Sequence, residues 1–363
     1  MKILYAIQGT GNGHLSRARD IIPILQLQGD LDILVSGTQA DVELGYPVKY
    51  VFDGLSFVFG KKGGVDLFQT YKKSHLRKLF KEIRSLPVEK YDIIINDFEP
   101  VSAWACYLKN KACISLSHQA AVINKKSPQP KHKDILGNAI LKNYAPTTFQ
   151  YGFHFKEYDD NIFTPVIRKQ VRALHPQNEG HYTVYLPAYS DKRIIKVLSE
   201  CKGVRWQIFS KHNKKVYEEK NIAVYPINNE SFMKSLASSE GVLCGAGFET
   251  PAEAMFLGKK LLVIPMKSQF EQHCNAAALK EMGVPILRGL KKKYTGDIEL
   301  WIDAGERVSV DYPEITEKII EAIFTQHYKI SHNMTIIPGS KVNSAREFRK
   351  ISLKKILLKI AVR

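Results

Sequence analysis

Histidine 14 closes an alternating run of glycines, AIQGTGNGH (residues 6–14), directly after the apolar stretch MKILYA. An imidazole titrates near neutral pH, so it can take or give a proton during a reaction. Gly9, Gly11 and Gly13 make a tight turn of low bulk, with N–H groups exposed at a helix N-terminus. Such a turn could instead cradle a phosphate. A dinucleotide fingerprint, however, needs GxGxxG and an acid ending the second strand. Here the spacing is GxGxG and the second strand ends in Val35-Ser36-Gly37. A P-loop needs Lys-Ser/Thr after its glycines, and His14-Leu15 stands there. The loop of Gly9, Gly11, Asn12 and Gly13 therefore reads as the support that presents His14 at the carboxyl end of a strand. That edge is where open parallel sheets bind ligands. The plain alternative is a structural histidine.

Asp97 ends a second β-like run, YDIIIND (91–97), and should emerge at the same sheet edge. A carboxylate beside an imidazole selects its tautomer and stabilises its protonated form. Asp97 either does this for His14 or caps the helix that starts near Pro100.

The third candidate region is GVLCGAGFETPAEAMFLGKKLLVIPMKSQFEQHCNAAALKEMG, residues 241–283. A strand ends in Gly245-Ala246-Gly247, Phe248 follows, and a helix begins near Thr250-Pro251, where proline suits the first turn. Glycines at a helix N-terminus suit a diphosphate, and a carboxylate such as Glu253 suits a pair of ribose hydroxyls. One turn into the helix, Glu253 is expected to face the cleft. A further strand ends at Pro265 and leads into a polar loop with Gln269, Glu271, Gln272 and Asn275.

To position these groups the chain alternates strand-like and helix-like segments. Strands are expected at 2–7, 31–36, 48–52, 91–97 and 112–117, then at 182–187, 204–209, 222–226, 241–245 and 260–265. Helical patterns between them include Leu15–Gln28, Asp66–Arg84, Pro100–Lys109, Asp191–Glu200, Glu249–Leu257 and Glu271–Met282. Short apolar strands alternating with helices imply parallel sheets covered on both faces. The rhythm breaks between about 150 and 181. The expected organisation is an N-terminal Rossmann-like domain (1–155), an interdomain segment (156–181), a C-terminal domain (182–330) and a basic tail (331–363). The last regular helix is expected over Pro313–His327. A length of 363 residues suits two domains.

Composition narrows the class. The 44% hydrophobic and 25% charged residues are ordinary for a soluble globular chain. No apolar run is long enough to span a bilayer, and MKILYAIQGTGNGH lacks the features of a signal peptide. The 5 cysteines form no CxxC pair and read as small core residues in a reducing cytoplasm. The net charge of +17 stands out. Basic clusters lie at Lys72–Arg84, Lys125–Lys133 and Arg288–Lys293, and the tail is dense in Lys and Arg. This balance suits nucleic acid, an anionic membrane face or an anionic substrate; no nucleic-acid module is visible.

The pattern resembles GT-B fold glycosyltransferases, nearest to the enzymes that add N-acetylglucosamine to the lipid-linked peptidoglycan precursor and to related UDP-sugar transferases. The matching elements are GTGNGH near the N-terminus and GAGFETPAEA followed by P-x(3)-QFEQHCNA. The resemblance implies an α/β fold of two doubly wound domains facing across a cleft, with the nucleotide-sugar held by the C-terminal one. It implies that Glu253 binds ribose, that the 245–250 loop approaches the diphosphate, and that Gln269 and Gln272 reach the sugar. His14 would then stand near the acceptor hydroxyl, making residues 9–13 an acceptor-side loop. Where such transferases often carry a glycine-rich loop, this chain reads LPAYSDKR (186–193), so Tyr189, Ser190 and Lys192 are expected to replace those contacts. Retaining GT-B enzymes usually carry a glutamate eight residues before the Glu253 position. Position 245 is glycine, which favours the inverting class. DLD at 30–32 starts a strand rather than ending one, so no catalytic metal is expected and no cofactor beyond the nucleotide-sugar substrate.

Two rival readings remain at this stage. UDP-sugar hydrolases of the same architecture carry a Gly-x-Gly-His-x-x-Arg-like start, which Gly11 to Arg17 resembles, and His14 would then activate water. The other rival is a basic protein for membrane or nucleic acid with a degenerate sugar site. A cytoplasmic transferase peripheral to the inner membrane face reconciles the chemistry with the charge.

Overall fold

The computed structural model describes residues 1–37, 43–55, 59–60, 64–65, 76–131, 134–267 and 269–333. Two parallel-dominated sheets make the frame. The first has seven strands in the spatial order Tyr50–Phe52, Asp30–Ser36, Lys2–Gln8, Ile93–Asp97, Ile114–Ser117, Phe149–Phe153 and Ile162–Phe163. The second has six, in the order Tyr217–Glu219, Ile222–Pro226, Arg205–Ser210, His181–Tyr185, Gly241–Gly245 and Lys260–Ile264. Only Tyr217–Glu219 runs antiparallel within them. The central strands are continuous apolar runs such as Ile3, Leu4, Tyr5, Ala6 and Ile7, all buried, because helices cover both faces.

Each sheet reverses its winding direction once. In the first sheet this happens between Lys2–Gln8 and Ile93–Asp97, paired so that Ile7 lies opposite Asp97. In the second it happens between His181–Tyr185 and Gly241–Gly245, with Tyr185 opposite Cys244. Such reversals open crevices beyond the carboxyl ends of the strands. The segments that leave these strands carry His14 and Asp97 in one domain, and residues 186–190 and 245–250 in the other.

Several expectations need correction. The interval 150–181 holds strands other than the single β-like piece expected at 164–170. Phe149–Phe153 and Ile162–Phe163 extend the first sheet by two parallel strands, so that sheet runs past residue 155. The last helix spans Thr316–Asn333 rather than Pro313–His327. It packs back against Asn12–Gln28, and Tyr151 Oη lies 2.9 Å from His327 Nε2, so the chain ends its described part on the first domain. Of the helix expected over Asp66–Arg84, Leu76–Ser85 is described. The rest, part of the Lys125–Lys133 cluster and the tail beyond 333 lie outside the described residues.

One cluster of buried side chains joins the two domains, from Ile3 and Leu15 through Phe153 and Phe155 to Phe248 and Met255. Its polar seam is His118. The His118 ring stacks on Phe248 with centroids 3.9 Å apart, and His118 Nε2 lies 2.8 Å from Asn275 Oδ1. The Asn275 amide in turn donates to the Ala246 carbonyl at 3.1 Å. Burial pulls both His118 and its neighbour His154 below the ordinary histidine value, because a charged ring there would lose its water.

Candidate active site

The glycine turn is shaped by what surrounds it. A Cβ on Gly9 would lie 2.9 Å from Val35 Cγ1 and 3.1 Å from the Ser36 carbonyl oxygen, so this residue is held against the end of the second strand. Gly11 caps the first helix with φ 94°, a left-handed conformation that side chains resist. The helix runs over Asn12–Gln28 and puts His14 in its first turn. Three residues later Arg17 lies on the same face and is buried.

His14 Nδ1 lies 2.8 Å from Asp97 Oδ1. The carboxylate thus fixes the tautomer with Nδ1–H and leaves Nε2 as the basic nitrogen. The His14 side chain is 13% exposed and that of Asp97 0%. Gln119 stands on the Nε2 side, with its amide nitrogen 3.4 Å from His14 Nε2 and 3.1 Å from Glu271 Oε2. The Gln119 Oε1 atom is buried without a protein partner. Phe98, in a left-handed conformation at φ 57°, lays its ring parallel to His14 at 6.4 Å and stacks on Tyr144 at 4.7 Å. A bulky side chain at that φ carries backbone strain, which collects at working sites.

Asp97 does not cap the following helix. Glu99 does, accepting from the Val101 and Ser102 amides at 2.6 Å each. Asp97 is instead shared between His14 and Arg17, whose Nη2 reaches both carboxylate oxygens at 2.8 Å. Burial alone would raise the Asp97 carboxyl, but the charges and hydrogen bonds of Arg17 and His14 outweigh it and hold the carboxyl below its ordinary value. The other end of Arg17, Nη1, donates to Glu249 Oε1 from the second domain. Glu249 opens the helix Glu249–Phe256 and lies over Gly13, where a Cβ would come within 3.3 Å of its carboxyl group.

On the opposite edge, Gly245 and Gly247 leave open backbone. An added Cβ at Gly247 meets nothing within 4 Å, and at Gly245 the nearest atom is Gln272 Oε1 at 3.7 Å. Thr250 lies in the first turn of the helix, partly exposed. Ala246 and Phe248 are buried in the interdomain seam. Gln272 is buried and accepts from the Met266 amide at 2.9 Å, and Gln269 Oε1 is buried without a protein partner. Across the crevice, Ser190 is the exposed N-cap position of the helix Asp191–Leu198, and Lys192 is exposed in its first turn. The Tyr189 ring lies under the Arg193 guanidinium at 5.1 Å, and its hydroxyl accepts from the Leu290 amide at 3.4 Å.

Glu253 departs from expectation. Its carboxylate does not look into an open cleft but is buried and held by two parallel bonds from Arg168, Nε to Oε1 at 2.5 Å and Nη2 to Oε2 at 2.8 Å. Arg168 comes from the segment linking the two domains and also donates to Asn229 Oδ1 at 3.0 Å. Burial raises the Glu253 carboxyl above its ordinary value despite the opposing Arg168 charge.

Arg17, Gln119, Arg168 and Glu249 were not among the candidates read from sequence. The HLSR spacing carries a signal for Arg17, and an acid in the first turn of its helix is the only local mark of Glu249. Nothing local marked Gln119 or Arg168. Among the described residues, no group of three His, Cys, Asp or Glu side chains is arranged as metal ligands, and no helix is long and apolar enough to cross a membrane. Asp32 of the DLD segment pairs with Lys49 at 2.5 Å and accepts from Tyr91 at 2.7 Å.

The family model for glycosyl transferase family 1 matches residues 1–299. Among solved structures, spinosyn forosaminyltransferase SpnP is 12% identical with a TM-score of 0.56, over 92% of this chain and 100% of that one. UGT89C1 of Arabidopsis thaliana, solved with quercetin, is 12% identical with a TM-score of 0.54 over 100% of both chains. MurG of Acinetobacter baumannii is 14% identical with a TM-score of 0.53, over 90% of this chain and 100% of that one. At such identities the likeness is one of fold, the two-domain GT-B architecture. No match is found among curated proteins.

Proposed function

The chain belongs to glycosyl transferase family 1 and is a glycosyltransferase, and we propose that it transfers a sugar from a UDP-linked donor with inversion, using His14 as the base. The carrying observation is the pair His14 Nδ1 and Asp97 Oδ1 at 2.8 Å, which makes His14 Nε2, beside the Gln119 amide, the nitrogen that accepts a proton at the cleft. In this reading Nε2 takes the proton of the acceptor hydroxyl as its oxygen attacks the anomeric carbon. The new C–O bond forms on the face opposite the one that breaks, and the bonding electrons leave with the nucleoside diphosphate. General-base help of this kind contributes about 10²–10⁴ in rate.

The leaving diphosphate would meet the N–H groups of the 245–250 turn, the positive end of the helix Glu249–Phe256 and the Lys192 ammonium. Gln269 and Gln272 border the expected sugar position. Glu253 is buried under Arg168, so donor binding is proposed to move Arg168 aside for the ribose hydroxyls to reach the carboxylate. The cleft chemistry is proposed to need no metal or further cofactor. An acceptor at an anionic membrane surface, reached from the cytoplasm, would suit the net charge of +17.

A thermal-shift screen of nucleotide-sugars tests the donor class, since a ligand of the folded state raises stability. Stabilisation by UDP-sugars with loss of turnover in H14A supports the reading. Full-rate donor breakdown without any acceptor would replace the transferase with a hydrolase, in which His14 activates water.

A further inference from the structure

Arg17 is a buried charge that joins the two domains. It touches no open surface, so its part in the chemistry runs through its neighbours. One end holds Asp97 by both carboxylate oxygens, and the other holds Glu249 of the second domain. Its Nη2 also stands 3.4 Å from His14 Nδ1. We propose that Arg17 is a positioning residue through which Glu249, delivered by the donor-side domain, sets the proton affinity of the His14–Asp97 pair. The proposal rests on His14 being the base.

The charge count gives the reason. Asp97 (−1) and Arg17 (+1) cancel, so an isolated first domain presents His14 with no net charge. Adding Glu249 (−1) leaves one net negative charge beside the imidazole, which favours its protonated form. Among the other groups facing His14, Phe98 is neutral and Gln119 is a neutral amide. Glu271, also of the second domain, stands behind Gln119 and adds negative charge in the same sense, but it is unchanged between wild type and the Glu249 and Arg17 variants. Tyr5, buried near Asp97, is pushed well above its ordinary value by burial and by the Asp97 charge, and so is neutral.

Gly13 is a second, independent sign of the same fit. With a side chain there, an added Cβ would press the Glu249 carboxyl at 3.3 Å, so glycine leaves the space through which the acid reaches Arg17. A base whose proton affinity depends on a residue of the other domain is fully prepared only when the cleft is assembled.

The test reads His14 protonation directly, without turnover. Diethyl pyrocarbonate carbethoxylates neutral imidazole, and mass spectrometry of the peptide containing residue 14 gives the rate. At pH 6, E249Q should raise the His14 rate about two- to fivefold over wild type, and R17M should lower it by a similar factor. At pH 8.5, where imidazole is ordinarily neutral, the three proteins should react alike. Faster reaction of E249Q at both pH values would mean that the variant merely exposes His14, and would overturn the proposal. So would equal rates at pH 6. If R17M does not fold, E249Q decides alone, and G13A should shift the pH 6 rate in the same direction by a smaller factor. If H14A keeps normal turnover, His14 is not the base, yet the carbethoxylation rates still report whether Glu249 controls its charge.

Discussion

Asp97 and Glu253 are both buried carboxylates, one on each side of the cleft, and each meets an arginine: Arg17, which is buried, and Arg168, which is partly exposed. Asp97 is held below its ordinary value, whereas Glu253 is pushed above its own. Burial acts upward on both. The difference lies in the company. Asp97 receives Arg17 and His14 together, while Glu253 has Arg168 but also feels Glu249 and Asp20. The N-terminal edge is therefore a set of charges fixed in advance of any substrate. The C-terminal edge is mostly open backbone, and its one central carboxylate is occupied by Arg168. A prepared proton acceptor facing a rearranging donor site is the division of labour that this contrast suggests.

The largest test of that contrast removes the proton acceptor. H14A should lose about 10²–10⁴ in turnover, while UDP should raise the melting temperatures of H14A and wild type by the same amount. Loss of both together would mean that the two edges are not separate in function. Normal turnover would move the base elsewhere.

The second test compares the two carboxylates by stability. D97N leaves Arg17 buried without its bidentate partner and should cost about 3–5 kcal/mol at pH 7. E253Q also takes a carboxylate from an arginine, but Arg168 is partly exposed and keeps Asn229, and burial already disfavours the Glu253 charge, so the cost should be smaller, about 1–3 kcal/mol. The pH windows differ in sign. Asp97, lowered in the fold from an ordinary 3.8, stabilises at every pH above that value, and its contribution is lost as pH falls below it. The D97N deficit should therefore shrink in acid. Glu253, raised from an ordinary 4.5, favours the fold most below that value, and the advantage fades as pH climbs through the raised one. E253Q should thus compare better with wild type at pH 7 than at pH 4. Denaturant melts of both variants across that range check the pair, and parallel profiles would dissolve the contrast.

The same contrast explains what could be read without coordinates. Apolar runs such as KILYAI and YDIIIND mark buried strands, and the residues just after them must emerge at the sheet edge. That logic alone placed His14 and Asp97 on one rim, and their contact follows from two strands lying side by side. It could not place Arg168, because its partner Glu253 is 85 positions away and no spacing rule links a linker to a helix in another domain. For the same reason Glu253 was expected in the open. Helical phase gives the direction of a side chain but not what arrives to cover it. Ile162–Phe163 was missed because a two-residue edge strand is too short to show any periodicity, and Phe149–Phe153 was missed because its FQYGF sequence is less apolar than the central strands and runs into a polar stretch.

The smallest predicted effects concern the glycines, where the two edges look alike in sequence and differ in space. Gly9 is packed on Val35 Cγ1 and the Ser36 carbonyl, at 2.9 and 3.1 Å from an added Cβ. G9A must push a strand end aside and should cost about 1–3 kcal/mol, as overpacking does. Gly247 has nothing within 4 Å of an added Cβ, so G247A should keep its stability within about 0.5 kcal/mol of wild type. Its methyl group would instead occupy space that the proposed diphosphate needs, so the UDP-induced rise in melting temperature should shrink. A stable G247A with full UDP response would mean that the open backbone at Gly247 is not where the nucleotide lies. An unstable one would mean that the glycine serves the fold, as Gly9 does, and the asymmetry between the two edges would rest on their carboxylates alone.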